Sequence, residues 1–186
     1  ARRLAGLVPA TEAQLRRDTS TACGTQGLPD AVRLSEIIAT AELLADPVAI
    51  ARRWAEDRTD HLATPIGVDE QGGVVNLDLR HDGPHALVAG TTGAGKSELL
   101  RTLLLSAALH HSPDRLQLLL VDYKGGAAFG PLATLPHTVG IVTDLSGPLA
   151  RRCLVSLRAE LRRREGELAA QGADRWTGAA LLVVVD

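Results

Sequence analysis

The stretch that decides the fold is His85-Ala86-Leu87-Val88-Ala89-Gly90-Thr91-Thr92-Gly93-Ala94-Gly95-Lys96-Ser97. Its first five residues predict a short strand, and the rest follow the pattern G-x-x-x-x-G-K-S. Beyond it, Leu99, Leu100, Leu103, Leu104, Ala107 and Ala108 recur at three- and four-residue steps. That period predicts a helix over 97–109 with a wide apolar stripe. A strand that runs into this loop and a helix that leaves it form the context in which the pattern cradles phosphate. Gly90, Gly93 and Gly95 let the backbone turn closely enough for its amides to surround an anion, and the helix aims its positive end at the same place. Thr91, Thr92, Ala94 and Glu98 complete the binding stretch. Lys96 brings an ammonium to the β- and γ-phosphates, and the Ser97 hydroxyl is a magnesium ligand. The expected ligands are therefore ATP and Mg²⁺.

Working outward toward the N-terminus, the apolar runs 64–68 and 74–79 flank the turn-rich Asp69-Glu70-Gln71-Gly72-Gly73 and predict a β-hairpin. Asp46-Pro47 predicts a helix start, with Val48, Ile50 and Trp54 as its buried face. Residues 32–44 fit strand or helix, and residues 1–30 read as a linker or a partly helical arm. Toward the C-terminus, 116–121 predicts a buried strand ending at Asp122, and 139–142 another ending near Asp144. Ser146 is placed to cap a long helix lined by Leu149, Cys153, Leu154, Leu157, Leu161 and Leu168, with Gly172 at its end. The run 181–185 is a further strand, closed by Asp186. Strands alternating with helices imply an α/β fold, mostly a parallel sheet with helices on both faces. The division expected is a linker or helical segment over 1–60 and a P-loop ATPase domain over 61–186. Ending on a strand-end aspartate, that domain reads as cut short at its metal-site strand.

A magnesium-bound triphosphate also needs a carboxylate at the end of a buried strand. Asp122 and Asp186 both qualify, and spacing does not choose between them. Asp122 as the metal residue corresponds to small-molecule kinases and GTPases, and Asp186 to motor ATPases in which another strand intervenes.

Composition narrows the partners. Twenty basic residues against 22 acidic ones leave a net charge of −2, which offers no general attraction to nucleic acid or anionic lipid. With only two Trp, one Tyr and one Phe, the core must be built from aliphatic residues. Cys23 and Cys153 form no C-x-x-C pattern and are expected as buried thiols. No signal peptide or apolar run of membrane-spanning length is visible, so no membrane contact by this stretch is expected. The six histidines show no metal-ligand spacing. Lys124-Gly125-Gly126 reads equally as a second phosphate- or partner-sensing loop and as a flexible turn. Arg151, Arg152, Arg158, Arg162, Arg163 and Arg164 are interleaved with Glu160, Glu165 and Glu167 and read as a solvated helix face.

Gly83-Pro84-His85, the loop continued through Glu98-Leu99-Leu100-Arg101-Thr102-Leu103, and Leu120-Val121-Asp122-Tyr123-Lys124-Gly125-Gly126-Ala127-Ala128-Phe129 together resemble the FtsK/SpoIIIE translocase family. Within it they are most similar to the EccC ATPases of type VII secretion. Pro65-Ile66-Gly67-Val68, Leu135-Pro136-His137 and Glu160-Leu161-Arg162-Arg163-Arg164 fit as well, so the resemblance runs over 65–186. It implies a RecA-like P-loop motor domain that works beside other ATPase domains or subunits in a ring or tandem array. The cytoplasmic part of a membrane-associated parent is the implied location. Secreted proteins are the implied cargo, with DNA as the alternative and a docking module that binds ATP without turnover as a third reading. Asp186 becomes the magnesium-site and catalytic aspartate beside Lys96, and Asp122 a neighbour facing the same nucleotide. The family's catalytic glutamate follows that aspartate, so residues 1–186 alone are expected to be inactive.

Overall fold

A computed structural model describes residues 28–29, 31–38, 46–122, 128–143 and 146–186, together with the backbone of 7–9. Cys23, Asp144 and the Tyr123-Lys124-Gly125-Gly126-Ala127 segment lie outside the described residues. The chain forms two compact units, Ala1–Ser112 and Pro113–Asp186.

In the first unit, β1 (Leu7–Pro9) pairs antiparallel with β4 (Ala86–Val88), Leu7 opposite Val88. A single helical turn, α1 (Leu34–Ile37), falls within the stretch whose sequence fitted two readings. Helix α2 (Pro47–Glu56) starts as its sequence dictates, with the Asp46 carboxylate accepting the Val48 amide at 2.9 Å and proline in the first turn. Its expected buried face is only partly realised. Ile50 and Trp54 are half-buried, whereas Val48 is 73% exposed.

The hairpin is present as β2 (Ala63–Val68) and β3 (Val74–Asp78), with a register shift between Pro65 and Gly67. Proline has no amide to give a ladder, which suits it to such an irregularity. The turn is organised by Asp69, whose Oδ1 accepts the amides of Gln71 and Gly73. Gly72 takes a left-handed φ of 80° there, a conformation costly for any residue with a Cβ.

The phosphate-loop helix, α3, spans Lys96–His110, one residue longer at each end than the periodicity predicts. Leu103, Leu104, Ser106, Ala107, Ala108 and Leu109 are buried in it. Three polar side chains fix this end. Ser106 Oγ donates to the Pro65 carbonyl at 2.9 Å, and Trp54 Nε1 to the Ala108 carbonyl at 3.1 Å. The buried His111 ring lies 2.9 Å from Asp57 through Nδ1 and 3.1 Å from the Ala63 carbonyl through Nε2.

The second unit holds a parallel three-stranded sheet in the order β6-β5-β7, with β5 (Leu116–Val121) between β6 (Thr138–Val142) and β7 (Ala180–Val185). Alternate residues Leu116, Leu118 and Leu120 are buried, as are Phe129, Leu132 and His137 in the segment leading to β6. Helix α4 (Gly147–Gln171) ends at Gly172, whose φ is 62°. The Gly172 amide bonds to the Ala169 carbonyl and the Ala173 amide to the Leu168 carbonyl, the pairing that closes a helix on a left-handed glycine. No residue of α4 is buried, and Leu154 and Leu161 are 58% and 59% exposed. An open cleft of about 650 Å³ separates helix and sheet, lined by Leu119, Ile141, Cys153, Leu157 and Leu181 among others. Cys153 is accordingly a half-buried free thiol instead of a buried one.

On the side of α4 that faces this cleft, Glu160 accepts from Arg163 at 2.8 Å and from Arg164 at 2.7 Å. Arg163 also pairs with Glu167, and both guanidinium groups lie over the Trp176 ring, 5.5 and 4.9 Å from its centroid. Hydrogen bonds from Arg163 and then Arg164 hold the Glu160 carboxyl down at about 2. These two arginines are committed to the helix's own acids and to Trp176; with Glu160 and Arg163 lining the cleft and the Arg164 side chain only 15% exposed, this end of the arginine run is only partly the solvated face expected. Among the described residues, no helix is long and apolar enough to cross a membrane.

Candidate functional site

The loop from Gly90 to Ser97 joins β4 to α3, and two of its three motif glycines are demanded by backbone geometry. Gly93 and Gly95 sit at φ of 78° and 88°, in the left-handed region, where a side chain would be strained. Gly90 does not adopt a left-handed φ. A Cβ added there would lie 3.4 Å from that of Ala94, ordinary contact, so neither the backbone conformation nor crowding within the chain demands glycine at this position. The Ala94 amide donates to the Thr91 carbonyl at 3.1 Å, closing the loop into a tight turn.

Gly95 is the N-cap of α3, and its carbonyl accepts the first intrahelical bond, from the Leu99 amide. The amides of Lys96, Ser97 and Glu98 precede that bond in the helix's first turn. They therefore stand at the positive end of a 15-residue helix as donors suited to an anion. The Lys96 ammonium donates to the carbonyls of Gly90 and Thr91, both at 2.8 Å. Two of its three hydrogens hold the side chain over the loop, and the third remains for a ligand oxygen. The Glu98 carboxylate pairs with Arg101 at 2.7 Å, so Glu98 contributes to this cradle through its amide. These donors fit a triphosphate.

The two strand-end aspartates stand side by side in the second unit. Parallel pairing sets Val121 opposite Val185, so Asp122 and Asp186 leave the same ends of neighbouring strands. The Asp186 amide bonds to the Val121 carbonyl at 3.0 Å, and the Asp122 amide to the Val142 carbonyl at 2.8 Å. Their side chains differ. Asp122 is fully buried and its Oδ2 accepts the Ala128 amide at 2.8 Å, tying down the far end of the segment after β5. Asp186 is half-buried. The two strand ends thus differ in setting, the Asp122 carboxylate bonded to backbone inside the protein and Asp186 half-buried at the neighbouring strand end. Sequence spacing had left the two equivalent. The distinguishing signal is the bond to Ala128, six residues downstream, which a strand pattern does not reveal.

Comparison with known proteins follows the same lines. The profile of the FtsK/SpoIIIE family matches residues 48–181. The ESX secretion system protein EccC of Geobacillus thermodenitrificans is 39% identical over 146 residues, 76% of this chain and 10% of that protein. The type VII secretion system protein EssC of Staphylococcus aureus strain NCTC 8325 is 39% identical over 141 residues, covering 74% and 9%. Among solved structures, the cytoplasmic domain of the type VII secretion ATPase EccC from Thermomonospora curvata aligns with a TM-score of 0.73 at 33% identity, over 85% of this chain and 21% of that one. ATPases 2 and 3 of the same organism's EccC, solved with a signal sequence peptide, align at 0.51 and 26% identity, over 67% and 23%. The chain thus spans about a tenth of the length of the curated relatives it matches.

Proposed function

We propose that this chain, which belongs to the FtsK/SpoIIIE family, is a nucleotide-binding motor domain of a type VII protein-secretion ATPase. The observation that carries the proposal is the loop itself, in which left-handed Gly93 and Gly95 deliver the chain to an uncapped helix end with Lys96 held across it. Residues 90–98 hold the phosphates, Lys96 supplies the counter-charge, and the Ser97 hydroxyl and Asp186 hold Mg²⁺. ATP bound there supplies the phosphoanhydride bond whose hydrolysis drives movement. The protein's share is to position the phosphates and neutralise their charge, the main contributions a P-loop makes. Residues 1–186 alone bind ATP but turn it over negligibly, since the family's glutamate after Asp186 and a neighbouring subunit's arginine are not supplied by them. The complete protein works with further ATPase domains or subunits.

Polypeptide is the proposed cargo. A net charge of −2 and a helix face whose Arg163 and Arg164 are already paired give a polyanion little to bind. The experiment is a pair of binding titrations on the complete ATPase across a salt series, one with helical-hairpin secreted proteins and one with duplex DNA. Binding of the proteins with stimulation of ATP hydrolysis is expected. DNA binding that weakens steeply with salt and stimulates hydrolysis, with no response to protein, overturns the choice of cargo.

A further inference from the structure

The hairpin has a second constellation at its base, away from the phosphate loop in sequence and unused by the function proposed above. His61 precedes β2, Asp78 ends β3, and His81 lies in the turn that follows. The ladder places Ala63 opposite Asp78, and the Leu79 amide bonds to the Leu62 carbonyl, so the two ends of the hairpin meet there. Asp78 is fixed in this corner. Its Oδ1 accepts the amides of Arg80 at 2.9 Å, Leu62 at 3.2 Å and His81 at 3.3 Å. Its own amide donates to Asp82 Oδ2 at 2.7 Å.

The other oxygen faces two imidazoles. Oδ2 lies 2.5 Å from His61 Nδ1 and 3.0 Å from His81 Nδ1, and the two rings stack with centroids 4.2 Å apart. One nitrogen from each ring and one carboxylate oxygen thus converge within 4.8 Å of one another. The nearest cationic side chain in sequence, Arg80, is drawn instead to Asp60 at 2.6 Å.

We propose that His61, Asp78 and His81 form a binding site for a divalent transition metal of the zinc type. Two imidazole nitrogens and one carboxylate oxygen form a borderline donor set, which suits Zn²⁺, Co²⁺, Ni²⁺ or Cu²⁺ and is a poor match for Mg²⁺, which prefers oxygen throughout. With metal–ligand distances of about 2.0–2.2 Å, tetrahedral ligand atoms stand roughly 3.3 Å apart. Bringing the two oxygen–nitrogen distances to that value asks for shifts of less than about 1 Å, and bringing the two ring nitrogens to it for less than about 1.5 Å. The imidazoles have room to make them, their side chains being 58% and 42% exposed, while Asp78 stays anchored by its three amides. Three protein ligands leave a fourth position for water. The bound ion clamps the strand entering the hairpin to the turn leaving it, from which Asp82-Gly83-Pro84-His85 runs into β4 and the phosphate loop.

Sequence spacing gave no hint of this, because His61 stands 17 residues from Asp78 and only the hairpin brings them together. The test is calorimetric titration of the chain with ZnCl₂ in buffer free of nucleotide and magnesium, with Co²⁺ absorption as a second readout of nitrogen and oxygen ligation. One zinc per chain with Kd of roughly 10 µM or tighter is expected. His61→Ala and His81→Ala, both at exposed positions and checked for folding by circular dichroism, each weaken it at least about tenfold. Asp78→Asn, which keeps an oxygen to accept the three amides, does the same. His85→Ala, outside the cluster, leaves binding unchanged. Absence of binding at about 100 µM zinc, or one-to-one binding that survives in the His61→Ala/His81→Ala double variant, overturns the assignment and leaves the trio as a hydrogen-bonded clamp.

Discussion

Helices α3 and α4 present the same kind of sequence, leucines at helical spacing opposite charged residues, and meet different fates. In α3 the apolar side is buried from Leu103 to Leu109 and pinned by Ser106, Trp54 and His111. In α4, ten residues longer, none is buried, and a cleft lies between it and the sheet. Periodicity reports which side of a helix is apolar. It does not report whether anything covers that side. The strand ends repeat the contrast, since Asp122 is fully buried and Asp186 half-buried. Changes at the covered positions should therefore cost stability, and changes at the uncovered ones should cost function.

The largest effect expected is in the core of α3. Leu104 is fully buried, so Leu104→Ala should lower unfolding free energy by about 2–5 kcal/mol, whereas Leu154→Ala in α4 should cost less than about 1 kcal/mol. Urea unfolding of the two variants measures both. Comparable losses would mean that α4 is packed in solution and would break the comparison.

The aspartates sharpen it. Asp186→Ala in the complete protein should reduce Mg²⁺-dependent turnover more than about 100-fold while leaving thermal stability and part of the nucleotide binding intact. Asp122→Ala strands the Ala128 amide and should instead destabilise by about 1–3 kcal/mol, with a milder loss of turnover. Steady-state ATPase assays and melting curves on the pair separate the roles. The reverse order of severity in turnover would make Asp122 the metal residue.

A smaller effect concerns the buried end of α3. Burial lowers the His110 imidazole to about 4, against an opposing hydrogen bond to the Ser106 carbonyl and with Arg53 and His111 adding to the depression. Between its ordinary value of about 6.5 and 4, the unfolded chain holds a proton that the folded chain lacks. Stability is therefore full above pH ~6.5 and declines as pH falls toward 4, by roughly 1–2 kcal/mol once partial exposure is allowed for. A pH series of unfolding measurements should show this slope, and His110→Gln should flatten it. An unchanged slope in the variant would assign the effect to other groups.

How much was legible follows from what each signal encodes. The phosphate loop, α3, the hairpin, β5 and the close of α4 at Gly172 are local, set by glycine placement, capping residues and period, and were readable within a residue or so. The family, too, was carried by contiguous motifs. What was not readable depends on encounters between distant segments. The exposure of Val48, the pairing of β4 with β1, the uncovered side of α4 and the meeting of His61 with Asp78 are of this kind. The difference in setting between Asp122 and Asp186 belongs there as well, since the bond from the Ala128 amide to the Asp122 carboxylate leaves no mark in a strand pattern.

The central claim is that the loop before α3 binds the phosphates of ATP. Titration of a fluorescent ATP analogue in the presence of Mg²⁺, into the chain and into its Lys96→Ala variant, tests it most directly. Lys96 makes a charge-assisted contact worth about 1.5–3 kcal/mol, so saturable binding that weakens roughly ten- to hundredfold in the variant is predicted, with both proteins equally folded. Affinity unchanged by the substitution would contradict it.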